Sequence, residues 1–401
     1  MPKKLLVLGG SRYVLPVIEA AHQLDCEVVT CDYLPGNVAH RYSDGYRNVS
    51  IVDKDAVLAT AEELRVDGIM SFAADPGVVS ASYAAEKLGL PFQGSHEAVC
   101  VLQDKKRFRS FLRSNGFNCP EVHVFSSAAD ALSAADGITY PVIAKPTDSA
   151  GSKGCSRVDG PSELANAVEY ALSFSSGGAC IVEQFLEKAS PSSDADAFAI
   201  GGKFECVSFT SQLFDDIAPN PYTPAAYAMP AAMPQWAQSE LVSELQRLSD
   251  LLQLRDGVFN VETRLATDGK PYIMEVSPRG GGNRLSEMLR YASGVDLVRA
   301  SVQAALGEAA EDVRMPEYDG CWYQLMLHSS NGGVFRGVEY APGFREAHVA
   351  EEQFWVDEGS KVEGFSSANF AFGSVMMRFD SGADLERFRV REGRFVKTVV
   401  D

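Results

Sequence analysis

The sequence predicts a mixed α/β and α+β fold: a parallel sheet first, an α+β centre, and a small antiparallel β domain last. Three observations carry this. Strand and helix patterns alternate over residues 4–92. Two apolar strands meet at the turn pair Asp268-Gly269. From about residue 315 the chain reads mainly as short strands, WYQLMLH, GVFRGV, FWV and GSVMMRF.

The opening justifies the parallel sheet. The run KLLVLG ends at Gly9-Gly10, the helical pattern VLPVIEAAHQL follows, and EVVTCD is a second strand. That is a βαβ unit. A helix over 55–64, the strand DGIMSF, a helix over 77–88 and the short apolar LPF continue it. Asp32 ends the second strand, where a dinucleotide fold keeps its ribose-binding acid. The glycine pattern argues against NAD, because GGSRYVLP lacks the third glycine of GxGxxG.

In the centre, residues 104–115 form a basic amphipathic helix, capped by Asp104 and stopped by Gly116. Its Lys105, Lys106, Arg107 and Arg109 either make a solvated face or confront an anion. The strands EVHVF and PVIAK follow, the second running into a Ser/Gly loop with Lys145 and Lys153 at its ends. Small residues let backbone N–H groups wrap an anion, although GxxxxGK[ST] is absent. A helix over 162–172, the strand ACIVEQFL, and the paired strands DADAFAI and KFECVSF come next. Residues 211–235 are proline-rich and read as an irregular loop, with Asp215, Asp216 and Tyr222 bordering a pocket for a cationic amine. A helix over 238–254 leads into the Asp-Gly hairpin.

That hairpin, VFNVETRL and PYIMEV, carries Glu262 and Glu275 where core strands prefer apolar residues. Either both acids face solvent on an edge, or they pair around a hard divalent cation. Arg279 and the run Gly280-Gly281-Gly282 add a fixed cation and a permissive backbone beside them. Asn283 and Arg284 either bind a substrate carboxylate or serve as a helix cap and a surface base. Helices start near Arg284 and Asp296.

Composition narrows the function classes. The chain has 401 residues, 46% hydrophobic and 22% charged, enough for two or three domains. Its net charge of −18 suits neither nucleic acid nor an anionic membrane. Eight scattered cysteines form no CxxC pair, so zinc and disulfides are not expected and a reducing cytoplasm is. MPKKLLVLGG passes directly into a strand-and-turn pattern rather than a signal peptide, and no apolar run spans a bilayer.

The ordered pieces resemble the ATP-grasp superfamily over roughly residues 4–307. They are a Rossmann-like opening, a DK helix, the VIAKP strand with its Ser/Gly loop, the VEQFL strand and the VET…MEVSPR hairpin. The likeness is nearest to L-amino acid ligases and to the ATP-grasp unit of carbamoyl phosphate synthetase and biotin carboxylase. It implies an ATP-grasp fold in three parts: a pre-ATP-grasp domain at 1–100, an ATP-grasp domain at 101–314 with a lid at about 120–210, and a β-rich domain at 315–401. It further implies ATP and Mg²⁺ as cofactors, with Mn²⁺ as a substitute, and small carboxylate and amine substrates. A homodimer is compatible with it.

Residue by residue, the resemblance implies that Lys105 and Lys145 reach the ATP phosphates and that Ser149, Gly151 and Ser152 lie in the loop closing over them. It implies that Glu183, Gln184 and Leu186 form the adenine hinge, that Glu262 and Glu275 hold magnesium, and that Arg279 stabilises the transferred phosphoryl group. The implied activity is ligation of a carboxylate, such as an amino acid, to an amine through an acyl phosphate with release of ADP and phosphate. A nucleotide-binding protein without that activity is the alternative. Two positions depart from the family pattern. Ser277 stands where E-x-N-P-R has asparagine, and Ser192 falls near the usual ribose-binding glutamate, with Asp194 and Asp196 as nearby substitutes.

Overall fold

The computed structural model describes residues 2–148 and 153–401. Ser149, Gly151 and Ser152, expected in the phosphate loop, lie outside them.

The N-terminal sheet is parallel where pairing is resolved, in the order Gly45–Arg47, Glu27–Cys31, Lys4–Leu8, Gly68–Ser71. Its two central strands are almost wholly buried, as helices on both faces require. Helices Leu15–Gln23 and Lys54–Leu64 connect strands of this sheet, and Asp75–Leu88 follows its last strand. The LPF segment forms no strand; a helix at His96–Gln103 follows it instead.

Two antiparallel sheets form the centre. One orders Val122–Phe125, Cys180–Gln184, Val142–Pro146 and Ser156–Val158. The other orders Lys203–Phe209, Ser193–Ile200, Gly257–Leu265 and Pro271–Ser277. The strands over 193–209 therefore belong with the Asp-Gly hairpin and not with the strands over 122–184. Gly269 takes φ +79°, the left-handed conformation that a tight hairpin turn favours.

The proline-rich stretch corrects the loop expectation. Ser211–Phe214 and Pro224–Met229 are strands, and they extend the C-terminal sheet beside Cys321–Leu327, Gly373–Phe379 and Val349–Phe354. Ala226, Tyr227, Ala228 and Met229 are all buried, so sheet packing overrides the local proline content. Irregular chain is confined to residues 215–223 between the two strands and 230–234 after the second. Asp215 there is tied to His328 (Nε2 to Oδ2, 3.1 Å) and to the Ser330 hydroxyl (3.2 Å). It pins this segment to the C-terminal sheet and is not a free acid for an amine.

One apolar core joins the first sheet to the hairpin sheet. Leu5, Val7 and Met70 share it with Phe198, Val258, Leu285 and Met288. Helices Leu285–Ser293 and Leu297–Ala305 pack between them. The carboxyl end of Gly68–Ser71 thereby comes to the glycine run after the hairpin: Ala73 N donates to Gly280 O at 3.1 Å. Among the described residues no helix is long and apolar enough to cross a membrane.

Candidate active site

Register builds the site. In an antiparallel sheet directly opposed residues share a face, and so do residues two apart along one strand. Glu262 faces Glu275 on one side and Asp194 on the other. The next row reads Asp196, Asn260, Ser277. One face thus carries a row of three carboxylates beside a row of polar side chains. The edge reading holds for Glu275, whose strand Pro271–Ser277 ends the sheet, and fails for Glu262, which sits on the interior strand Gly257–Leu265 while keeping its side chain open to solvent.

The first row lacks internal balance. Glu262 remains reachable by solvent although protein surrounds it. Burial first, and then the Glu275 charge, push its carboxyl above the ordinary range, against opposing pulls from Lys145, Lys105 and Arg279. Burial, Glu262 and Asp196 push Asp194 well above it too. Asn260 donates to Asp194 Oδ1 at 2.6 Å, and Lys105 Nζ stands 3.7 Å from Glu275 Oε2.

The second row is structural. Asp196 is wholly buried and accepts from Gly281 N (2.7 Å), the Ser286 hydroxyl (2.5 Å) and Asn260 Nδ2 (3.3 Å). It fixes the glycine run: a Cβ on Gly281 would meet Asp196 Oδ1 and Asn260 Nδ2 at 2.8 Å. Ser277 is buried; its hydroxyl donates to Asp75 Oδ1 (2.8 Å) and accepts from Gln103 Nε2 (3.0 Å). It is a connector between elements.

Beside the row sits a buried ion triad. Glu183 accepts from Arg109 Nε at 2.6 Å and pairs with Lys145 Nζ at 2.6 Å. Burial alone would raise the Glu183 carboxyl, but the two cations outweigh it and bring it down to about 2. The basic helix therefore divides its charges. Lys105 turns to Glu275 and Arg109 to Glu183, while Lys106 and Arg107 stay exposed, the latter pairing with Glu97. The four-residue spacing of Lys105 and Arg109 was the available signal, since it puts both on one helical face.

The remaining candidates are placed as follows. Gln184 is exposed and Leu186 buried, and the Leu186 carbonyl accepts from Arg264 Nη1 at 3.1 Å. Arg264 Nε also donates to the Ser192 hydroxyl at 3.2 Å, so an arginine occupies the neighbourhood where a ribose-binding acid was sought. Asn283 is buried; it donates to the Tyr227 hydroxyl (2.9 Å) and accepts from that of Tyr13 (3.1 Å). Arg284, also buried, bonds Glu287 (2.7 Å), Glu351 (2.6 Å) and Ser374 (3.0 Å). Neither side chain caps the helix that follows, and Arg284 is no surface base.

Asp75 was missed by sequence reasoning. Its two oxygens accept from Arg279 Nε and Nη2, each at 2.8 Å. In sequence it precedes the helix expected over 77–88 and belongs to no motif; the structure puts it in the first turn of Asp75–Leu88.

The acid pair suits a hard divalent cation. Among the described residues no three His, Cys, Asp or Glu close into an all-protein metal cage. Magnesium does not need one; it is commonly held by one or two carboxylates together with nucleotide phosphates.

Comparison with known proteins agrees with this geometry. Residues 138–287 match the ATP-grasp domain. The chain is 24% identical over 239 residues to the carbamoyl phosphate synthase large chain of Thermotoga petrophila, covering 60% of this chain and 21% of that one. It is 29% identical over 272 residues to carnosine synthase 1 of Mus musculus, covering 63% and 32%. This chain thus spans about a fifth and a third of those relatives. A crystal structure of L-amino acid ligase from Bacillus licheniformis superposes with a TM-score of 0.81 at 21% identity, over 100% of this chain and 99% of that one.

Proposed function

We propose that this chain, which belongs to the ATP-grasp superfamily, is an ADP-forming carboxylate–amine ligase that activates an amino acid or similar small carboxylate as an acyl phosphate. The observation that carries the proposal is the row Asp194–Glu262–Glu275 with Lys105, Lys145 and Arg279 around it. Forming an amide in water requires the carboxylate to be activated first. Phosphoryl transfer asks mainly for positioning and charge neutralisation, and no protein nucleophile is needed.

In this reading Glu262 and Glu275 hold Mg²⁺, which supplies Lewis-acid neutralisation of the nucleotide phosphates. Lys105 and Lys145 accompany the phosphates. Lys145 is held ready by Glu183, which stays ionised through its ion triad. Arg279 faces the charge that develops on the transferred group. The hinge residues 184–186 would border adenine; the Gln184 and Phe185 N–H groups are bonded to the Glu121 and Pro141 carbonyls, and the Glu183 carboxylate is committed to Arg109 and Lys145. Asp194, at the far end of the row from Lys105, supports an amino-acid-class substrate, since an ammonium there would offset a carboxylate that the protein leaves under-compensated.

The test is to incubate the chain with ATP, Mg²⁺ and pooled amino acids. ADP, phosphate and a new amide are expected. AMP and pyrophosphate would overturn the acyl-phosphate route. Tight ATP binding without turnover across broad pools would leave only nucleotide binding.

A further inference from the structure

The N-terminal sheet unit sends a charged side chain into the cluster, and we infer that this residue, Asp75, positions Arg279 for phosphoryl transfer. The inference rests on the role of Arg279 proposed above and goes beyond it. It makes the N-terminal unit part of the catalytic geometry and more than a packing partner.

The guanidinium has five N–H donors in a rigid fork. Asp75 takes the Nε and Nη2 donors at 2.8 Å each, and the Gly280 carbonyl takes one from Nη1 at 3.1 Å. The Asp75 fork fixes one edge of the guanidinium and thereby sets which way the unused Nη1 and Nη2 hydrogens point. A bidentate carboxylate is the partner that fixes both the plane and the rotation of an arginine.

Asp75 is itself held on several sides. The Ser277 hydroxyl donates to the oxygen that Arg279 Nε uses, and Gln103 donates to Ser277 in turn. Burial raises the Asp75 carboxyl, but Arg279, Ser277 and Lys105 outweigh it, so the carboxylate stays charged. The backbone around it is locked as well. Ala73 N donates to Gly280 O at 3.1 Å, and a Cβ on Gly280 would fall 2.2 Å from the Phe72 ring. Residues 72–75 and 279–280 therefore form one close contact between the parallel sheet unit and the hairpin.

A purely structural ion pair would show itself in stability. A positioning pair shows itself in kcat, since a misplacement of about 1 Å can cost roughly 10²-fold in rate. The experiment compares Asp75→Asn, Arg279→Lys and the double variant, following ADP release from Mg²⁺–ATP with the pooled standard amino acids. Asp75→Asn is expected to lower kcat about 10²-fold while KM for ATP stays within about threefold. The double variant is expected to be no slower than Arg279→Lys alone, because both changes remove one function. Asp75→Glu, which keeps the charge and shifts it by one methylene, repeats the test should the amide variant fold poorly; it too is expected to lose kcat and keep KM.

The inference is overturned if Asp75→Asn turns over within about twofold of the parent while Arg279→Lys is crippled. It is also overturned if the two losses multiply in the double variant. Full activity in Arg279→Lys would be a different failure, because it removes the role proposed for Arg279 and the inference with it.

Discussion

Two groups of acids lie side by side in this chain, and the protein treats them in opposite ways. Glu183 is wholly buried and is given two cations, Arg109 and Lys145, each at 2.6 Å. Its carboxyl is driven down to about 2. Asp194, Glu262 and Glu275 stand in one row across three strands, and for Asp194 and Glu262 burial and like charge push the carboxyls up. Burying a charge is costly unless it is paired. Glu183 is paired within the protein, whereas in the reading proposed above the row would be completed by a cation from solution. The first arrangement holds a lysine in place, and in that reading the second is a receptor.

The contrast is broken most forcefully at the row. Glu275→Gln is expected to lower turnover by about 10²- to 10³-fold, the scale on which a preorganised charge is lost from a phosphoryl-transfer site. Glu262→Gln should do the same, while its melting temperature in the absence of nucleotide holds or rises because a repulsive charge is gone. ADP release and a thermal melt check both.

Glu183→Gln should behave in the reverse sense. It leaves Arg109 and Lys145 with an uncompensated buried charge, a change that typically costs about 3–5 kcal/mol. Denaturant unfolding should show that loss before any assay of turnover does.

Acidity separates the two groups more gently. Glu183 has a folded value below its ordinary 4.5, so its contribution to stability is complete above that value and disappears as pH falls toward about 2. Asp194 and Glu262 lie above their ordinary values, so the folded chain without a cation loses stability as pH rises through the carboxylate range and beyond. A bound cation expels those protons. Affinity for Mg²⁺ with a non-hydrolysable ATP analogue should therefore rise with pH, by up to about tenfold per unit for each proton displaced. A pH-independent affinity would contradict this.

The smallest effect belongs to Ser277. Ser277→Ala removes one hydroxyl between Asp75 and Gln103, worth about 1 kcal/mol in an unfolding measurement. The expected loss of turnover is smaller than that of Asp75→Asn. A loss as deep as that of Glu275→Gln would instead point to a metal-binding role for Ser277.

Much of this contrast was legible in the sequence because it is local. The Asp-Gly turn and the alternation on either side set the hairpin, although the turn's own register would oppose Glu262 to Met274, and a one-residue register shift between Glu262 and Thr263 brings Glu275 opposite instead. The strand that ends in Lys145 and the cap at Asp104 were equally plain. The partnerships were not legible, because they join segments far apart in the chain. Nothing near Glu183 announces Arg109, and nothing near Arg279 announces Asp75, more than two hundred residues earlier. Asp194 joins the row only because Ser193–Ile200 pairs with Gly257–Leu265, a choice made by the sheet and not by either strand. The proline-rich stretch misled for a related reason. Its local composition reads as loop, but the C-terminal sheet gives its small and aromatic residues a surface to cover.

The receptor reading of the carboxylate row is tested most directly by Mn²⁺ titration, followed by electron paramagnetic resonance, with a non-hydrolysable ATP analogue present. The parent chain should bind the ion with the nucleotide, and Glu275→Gln should lose most of that affinity while its fold, anchored by Glu183, stays intact. Equal Mn²⁺ affinity in the two proteins would contradict the account.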